Sequence, residues 1–234
     1  MTPRPLAAAA HETAFELPAW AGAECASVLR GVTKPDWFQT ASWRDDLREV
    51  VWRADEMELV SSPVINSTGV VATEPVLPES WWTGLRKSLA ALAEHQTERV
   101  GVRQDHLTRR INQVFPDEVD TTVEEWVTAH TDLHWGNLTA PDCYLLDWED
   151  WEDWGAAPRG RDAVSLWGVS LCVPALAARV EREFRTDLET RSGKLAQLLF
   201  CSNVIRVNAK RTDPSPLVPS ATRAAATLIA ELRA

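Results

Sequence analysis

The hydrophobic pattern of this 234-residue chain changes at two prolines, Pro75 and Pro78. Before the prolines, short runs of β-forming residues alternate with turn residues. After them, apolar residues such as Trp82, Leu85 and Leu92 recur at the spacing of one face of a helix. The sequence therefore predicts an α+β protein in which a small β-rich part precedes a mainly helical part.

The β-rich part is predicted to contain two pairs of strands. Residues 37–44 (WFQTASWR) alternate as a strand does. The run 45–59 is ambiguous, because its apolar residues also fit one helical face, but its β-forming core and the Asp45–Asp46 turn favour a hairpin. Residues 64–65 and 70–71 are predicted to be two short strands around an Asn-Ser-Thr-Gly turn.

The helical part is predicted to contain five helices. The first carries the stripe that begins at Trp82, and the second carries Leu107 and Ile111. Further helices are expected near residues 162–182, 194–208 and 220–233. Only the stretch around residues 126–147 departs from this helical pattern.

The composition limits the classes of partner. The formal net charge is −10, whereas a nucleic-acid-binding protein usually presents a basic face, so we expect no nucleic-acid partner. No apolar run reaches the roughly 18 residues of a membrane span. The N-terminal stretch MTPRPLAAAAHETAF lacks the features of a secretory signal. We therefore expect no membrane partner and a cytoplasmic location. Scattered cysteines without CxxC spacing predict reduced, buried thiols.

The non-helical stretch concentrates the residues that could carry chemistry. In VTAHTDLHWGNL, residues 127–138, an apolar segment leads into His130, Asp132 and Asn137. Ten residues after Asn137, the apolar run YLL ends at Asp147, and a strand there would leave this carboxylate facing a cleft. The cluster DWEDWEDW follows. Its Glu149 is a candidate for a position next to a metal ion, whereas Asp150, Glu152 and Asp153 are expected to be solvated or to attract a cationic substrate. The alternation HTDLH also suggests a transition-metal site, but no third histidine has a matching spacing.

This layout resembles the aminoglycoside phosphotransferase and choline-kinase-like branch of the protein-kinase-like superfamily. The residues that carry the resemblance are HTDLHWGN and LLDWE, together with the later APRGRDAVSLW. The family's usual loop is H-G-D-L-H-x-x-N, followed by an Ile-Asp strand and a G-P-x-x-x-D-L-A segment. The resemblance implies a two-lobed protein-kinase-like fold. Its reduced, β-rich N-lobe would span residues 1–77, with 1–19 a loose arm, and its mainly helical C-lobe would span 78–234.

The resemblance also implies an activity and a role for each matching residue. The chain would be an ATP- and Mg²⁺-dependent phosphotransferase that acts on a hydroxyl of a small molecule. Asp132 would be the catalytic base, and Asn137 and Asp147 would bind the metal ion. Asp162 would brace the catalytic loop by hydrogen bonding, and His130 would orient it.

The N-terminal part matches the family less well. The resemblance places the hinge that meets the nucleotide at Glu74 and Val76, and it places Arg53 where a strand lysine usually binds phosphate. No glycine-rich loop precedes them, and the single lysine of this part, Lys34, stands beside Pro35. Because arginine is not equivalent to lysine at such a position, the alternative is a catalytically weak or inactive kinase-like binding protein.

Overall fold

The computed structural model describes residues 4–5, 21–146, 151 and 153–234. Over these residues the chain is an α+β protein with a three-stranded sheet, a two-stranded sheet and eight helices. In chain order the elements are β1 (Arg4–Pro5), α1 (Gly22–Ala26), β2 (Trp37–Asp45), β3 (Val50–Met57), α2 (Glu79–Glu94), α3 (Gln104–Asn112), β4 (Trp126–Ala129), β5 (Gly155–Pro158), α4 (Arg161–Val169), α5 (Pro174–Glu183), α6 (Arg185–Leu188), α7 (Arg191–Asn208) and α8 (Val218–Arg233).

The ambiguous run after residue 44 is a hairpin strand and not a helix. β2 and β3 pair antiparallel, and residues 46–49 turn between them. Trp43 lies opposite Trp52, and their stacked rings, 6.3 Å apart, form a cross-strand pair. β1 pairs with the other edge of β3, so this piece of the predicted loose arm is a strand. The remainder of that arm lies outside the described residues.

The predicted strand pair at 64–65 and 70–71 is wrong, although the turn between the two segments forms. Gly69 donates its backbone N–H to the Asn66 carbonyl over 3.3 Å, and its φ of +74° suits glycine. Val64 forms a bridge with Thr139 instead of pairing within its own segment. The turn is therefore attached to the non-helical stretch, which satisfies the backbone groups that a local hairpin would have paired.

The helices follow the predicted apolar periodicity, but some of them begin or end at other residues than predicted. The buried face of α2 includes Trp82, Leu85 and Leu92. The predicted helix at 162–182 is two helices, α4 and α5. Pro174 is the first residue of α5, where its missing N–H costs nothing, and it disfavours a helical conformation in the residue before it. The short helix α6 was not predicted.

A single hydrophobic core holds the helices and the non-helical stretch together. α7 packs against α3, α4 and α8 at its centre. Ala26, Leu29 and Val71, which precede the predicted lobe boundary at 77/78, belong to the same core. Among the described residues, the β2–β3 hairpin contributes no side chain to it. The hairpin is thus the part of the chain that stands outside the core, and a two-lobed arrangement stays a prediction.

Within the described ranges, none of the helices has the length and apolarity needed to cross a membrane. The four cysteines are free thiols. Burial raises the pKa of both Cys143 and Cys201 to about 12, so neither is a thiolate near neutral pH.

Candidate active site

The two-stranded sheet brings the HTDLHWGN loop and the start of α4 together. β4 pairs antiparallel with β5, so that Ala129, the last residue before the loop, lies opposite Gly155. α4 begins at Arg161, three residues after β5 ends. The first turn of α4 therefore lies against the first residues of the loop, although the two segments are about 30 positions apart in sequence.

Asp162 holds the start of this loop by two hydrogen bonds. Its carboxylate oxygens accept the backbone N–H groups of His130 and Thr131, each over 2.8 Å. The residue is 7% exposed, so water competes little for these charge-assisted bonds. The neighbouring Arg161 donates from Nη2 to the Thr131 carbonyl over 3.0 Å. The backbone N–H and the carbonyl of Thr131 are thus both held by hydrogen bonds with the first turn of α4.

Thr131 occupies a backbone conformation that usually belongs to glycine. Its φ is +73°, which costs a β-branched residue about 1–2 kcal/mol. The side chain has contacts that offset this strain: Oγ1 donates to the Asp153 carbonyl over 3.0 Å, and the methyl group lies over Gly101. The family pattern has glycine at this position. The threonine at this position therefore depends on contacts with Gly101 and Asp153, which no local pattern in the sequence specifies.

His130 is fully buried and faces away from solvent. Its Nε2 donates to the Leu146 carbonyl over 3.0 Å, because that oxygen can only accept. The ring also lies 4.5 Å from the ring of Trp151 in an edge-on arrangement. His130 thus joins the loop to the apolar run that precedes Asp147.

Asp132 and Asn137 lie side by side at the open face of the loop. The amide Nδ2 of Asn137 donates to the Asp132 carbonyl over 2.9 Å and reaches its Oδ2 at 3.4 Å. The Asp132 side chain is 64% exposed. His134 Nε2 lies 3.7 Å from the same carboxylate oxygen, and its Nδ1 accepts the Gly136 N–H. Two donor groups therefore flank a carboxylate that stays accessible from solvent.

The other end of the Asn137 side chain, its Oδ1, has no hydrogen-bond partner among the described residues. Its Oδ1 is buried and accepts no hydrogen bond from any residue that the structure describes. The amide cannot be turned round, because both groups that its Nδ2 faces on Asp132 are acceptors. A buried amide oxygen without a donor is a fitting ligand for a hard cation such as Mg²⁺.

The second predicted metal ligand, Asp147, lies outside the described residues. The residue before it, Leu146, donates its backbone N–H to the Asn137 carbonyl over 2.7 Å. Among the described residues, no cluster of three or more His, Cys, Asp or Glu side chains could hold a metal ion.

The turn that precedes α2 contacts the loop near His134. An added Cβ at Gly69 would lie 2.9 Å from His134 Nδ1, so a larger residue would displace the imidazole. Asn66 also donates its backbone N–H to the Trp135 carbonyl over 3.2 Å. The prediction of an isolated hairpin missed this contact, because nothing in the local pattern identifies a partner so distant in sequence.

The contacts of Arg53 lie on its own hairpin and on α1. The guanidinium donates to both carboxylate oxygens of Asp55, over 2.8 and 2.7 Å, and to Glu24 over 3.1 Å. The Arg53 side chain is only 10% exposed. Among the described residues, no hydrogen bond or ion pair joins Arg53 to Asp132 or Asn137.

Lys34, the single lysine of the N-terminal part, is also buried. Its described hydrogen bond is a long one of 3.4 Å to the carbonyl of its neighbour Pro35. Burial lowers the pKa of Lys34, partly offset by Asp36. Among the described residues, no contact joins Lys34 to the loop.

The predicted nucleotide-binding residues Glu74 and Val76 lie in the irregular segment before α2, and both are exposed. No described hydrogen bond or ion pair joins either side chain to the loop. Trp151 and Trp154, from the tryptophan-rich cluster, are buried in the core and do not line a cleft.

Comparisons with known proteins give a distant likeness to a solved structure. The chain matches no protein-family model and no curated protein. Among solved structures it is similar to the crystal structure of a choline/ethanolamine kinase family protein from Mesorhizobium loti. The two chains are 14% identical, the similarity covers 94% of this chain and 79% of the other, and the TM-score is 0.37. A TM-score this low carries no argument about the fold or the activity of this chain.

Proposed function

We propose that the chain is a phosphotransferase that moves the γ-phosphoryl group of ATP, with Mg²⁺, to a hydroxyl of a small molecule. The observation that carries the proposal is the pairing of Asp132 with Asn137. An accessible carboxylate lies beside an amide whose oxygen is buried and has no described hydrogen-bond partner. Phosphoryl transfer needs both groups, a proton acceptor and an oxygen ligand for a hard cation.

Asp132 suits the role of base because it is exposed and held in place. Its carboxylate would accept a hydrogen bond from the acceptor hydroxyl and take the proton. The hydroxyl oxygen forms its bond to the γ-phosphorus as the bond between that phosphorus and the ADP oxygen breaks. Asn137 Nδ2 donates to one carboxylate oxygen over 3.4 Å and restricts its orientation, and His134 Nε2 lies 3.7 Å from the same oxygen. Because misplacement by about 1 Å can cost about a hundredfold in rate, this restraint is part of the proposed catalysis.

Asn137 Oδ1 would hold the magnesium ion, together with Asp147 as the family resemblance implies. The unsatisfied amide oxygen costs the protein about 1–3 kcal/mol, and binding of a cation would offset that cost. The bound ion would neutralise charge on the phosphates. Asp162 contributes indirectly, because its hydrogen bonds to His130 and Thr131 fix the backbone that carries Asp132.

A second candidate is a kinase-like protein that binds a ligand in the same region without turnover. The observation in its favour is that the guanidinium of Arg53 donates its hydrogen bonds to Asp55 and Glu24. With the Arg53 guanidinium engaged in this way, transfer would depend on the metal ion to neutralise the phosphates.

The test is a phosphotransfer assay with γ-labelled ATP, Mg²⁺ and a panel of small hydroxyl compounds that includes amino sugars, amino alcohols and simple sugars. Wild-type protein is expected to label at least one class. Asp132→Asn, which keeps the shape of the side chain but removes the proton acceptor, is expected to lower the rate by about 10²–10⁴-fold. Asp213→Asn is the matched control, since Asp213 is an exposed aspartate between α7 and α8.

Two results would count against the proposal. Equal rates for Asp132→Asn and Asp213→Asn would remove Asp132 from the role of base. If no class of acceptor is labelled while ATP still binds, the non-catalytic candidate would be favoured.

A further inference from the structure

A cavity of about 420 Å³ lies beside α2, on the side of β4 and of the first turn of α4. Its lining comes from α2, β4, the turn 159–163 and the segment 183–187, and Asp132 is not part of it. Leu89, Ala93 and Phe184 supply apolar surface. The size is that of a site for a small molecule.

The charged groups of this cavity are mostly paired with one another. Arg86 forms an ion pair with Glu183, and Arg159 forms one with Asp187. The carboxylate of Asp162 is occupied by the two loop N–H groups. These ion pairs and hydrogen bonds therefore connect the elements that line the cavity. Few of its charged groups remain available to pair with a ligand.

Arg161 is the exception among the cavity's arginines. No carboxylate of the described residues lies within ion-pair distance of its guanidinium, which makes a single hydrogen bond, from Nη2 to the Thr131 carbonyl. Its Nε is buried and has no described partner. Burial lowers the pKa of Arg161, against the opposing effect of Asp162 and Asp132. Because an arginine stays protonated, this is a cation with no ion-pair partner among the described residues.

We propose that this cavity binds a small organic anion, whose charged group pairs with Arg161 and whose apolar body lies against Leu89, Ala93 and Phe184. The planar guanidinium has free donors in the geometry that carboxylates and phosphates accept. The cavity adjoins the loop, but its lining does not include Asp132, and the site does not depend on the phosphotransferase proposal. A ligand there would contact the same residue that holds the Thr131 carbonyl.

Three compounds of one shape but different charge test the proposal: benzoate, neutral benzamide and the benzamidinium cation. Inorganic phosphate serves as a second anion. We expect isothermal titration of the full chain to show binding of benzoate and no binding of the other two ring compounds. Arg161→Gln should weaken the binding of benzoate at least about tenfold, since a charge-assisted hydrogen bond is lost. The control Arg48→Gln removes an equal charge at an exposed turn and should change nothing.

A second variant separates loss of the site from a disturbed loop. Ala93→Leu keeps α2 helical and leaves Arg161 intact, but its larger side chain fills the apolar wall, so benzoate binding should also be lost. The proposal is overturned if neither benzoate nor phosphate binds, or if benzamide binds as well as benzoate. Preferential binding of benzamidinium would show that the exposed Glu94 at the cavity determines its charge preference, and would equally overturn it.

Discussion

Replacement of Asp162 by asparagine tests how the loop that carries Asp132 is held in place. The two side chains have the same shape, so the core around α4 need not repack. Asparagine keeps one acceptor oxygen, but its NH₂ group must face a backbone N–H, either that of His130 or that of Thr131. Asp162→Asn therefore removes one hydrogen bond completely and the charge assistance from the other.

The expected loss of stability follows from the geometry of the two hydrogen bonds of Asp162. Both bonds are 2.8 Å long and Asp162 is 7% exposed. A hydrogen bond to a charged group contributes about 1.5–3 kcal/mol, and a buried N–H left without a partner costs about 1–3 kcal/mol. We expect Asp162→Asn to lower the free energy of unfolding by about 2–4 kcal/mol.

The assay combines urea unfolding with amide hydrogen exchange. Asp153→Asn is the matched control, because that side chain is exposed and only its backbone carbonyl contacts the loop, so a change below about 0.5 kcal/mol is expected. The amides of His130 and Thr131 should lose protection in Asp162→Asn. If Asp162→Asn is as stable as the control, or if both amides stay protected, the proposed brace is refuted.

Three further predictions concern packing, pH and thiol reactivity. Gly101→Ala should destabilise the protein by about 1–3 kcal/mol, because the new Cβ would lie 2.5 Å from the Thr131 methyl group, and Thr131→Ser should restore part of the loss in the double variant. Asp55→Asn should cost about 3 kcal/mol at pH 7 by breaking a buried ion pair. Burial raises the pKa of Asp55, but hydrogen bonds from its arginine and indole partners outweigh burial, so the net pKa is lowered. The ion pair is therefore lost as pH falls through that lowered value, and the cost of Asp55→Asn should shrink below about pH 4. Cys143 and Cys201, with pKa values near 12, should resist a thiol reagent at pH 8 until the protein is unfolded.

Each of the three has a measurement and a contrary result. Urea unfolding of the two single variants and the double variant would contradict the packing argument if the effects of Gly101→Ala and Thr131→Ser simply add. The same method at pH 7 and pH 3 tests the ion pair, and a deficit for Asp55→Asn that stays constant would contradict it. Mass spectrometry after brief labelling tests the thiols, and modification of Cys201 in the native state would contradict its burial.

Local patterns in the sequence were sufficient for much of the fold. The hairpin after residue 44 and the helical stripes of α2 and α3 were predicted from periodicity, because the partners of these residues are near in sequence or on the same face. The strands predicted at 64–65 and 70–71 were wrong for the opposite reason. Val64 pairs with Thr139, and no local pattern specifies a partner 75 residues away.

The candidate site was likewise only partly predictable from the sequence. The spacing of Asp132 and Asn137 was visible in the sequence, but the buried and unpartnered oxygen of Asn137 depends on tertiary packing. Arg53 illustrates the limit most clearly. Its role as a phosphate ligand stays a prediction, and its contact with Glu24, 29 residues away, was not specified by any local pattern.

The most direct test of the central claim is a titration of ATP into the protein with and without Mg²⁺. The claim is that Asn137 Oδ1 is a metal ligand of a nucleotide site. It predicts that Mg²⁺ strengthens ATP binding to wild-type protein, and that Asn137→Ala removes this strengthening while leaving weak, metal-independent binding. Asn112→Ala is the matched control and should behave as wild type, because that amide oxygen is also buried without a described partner but lies at the end of α3. If ATP fails to bind at millimolar concentration, or if Mg²⁺ strengthens binding equally in wild type and Asn137→Ala, the claim is contradicted.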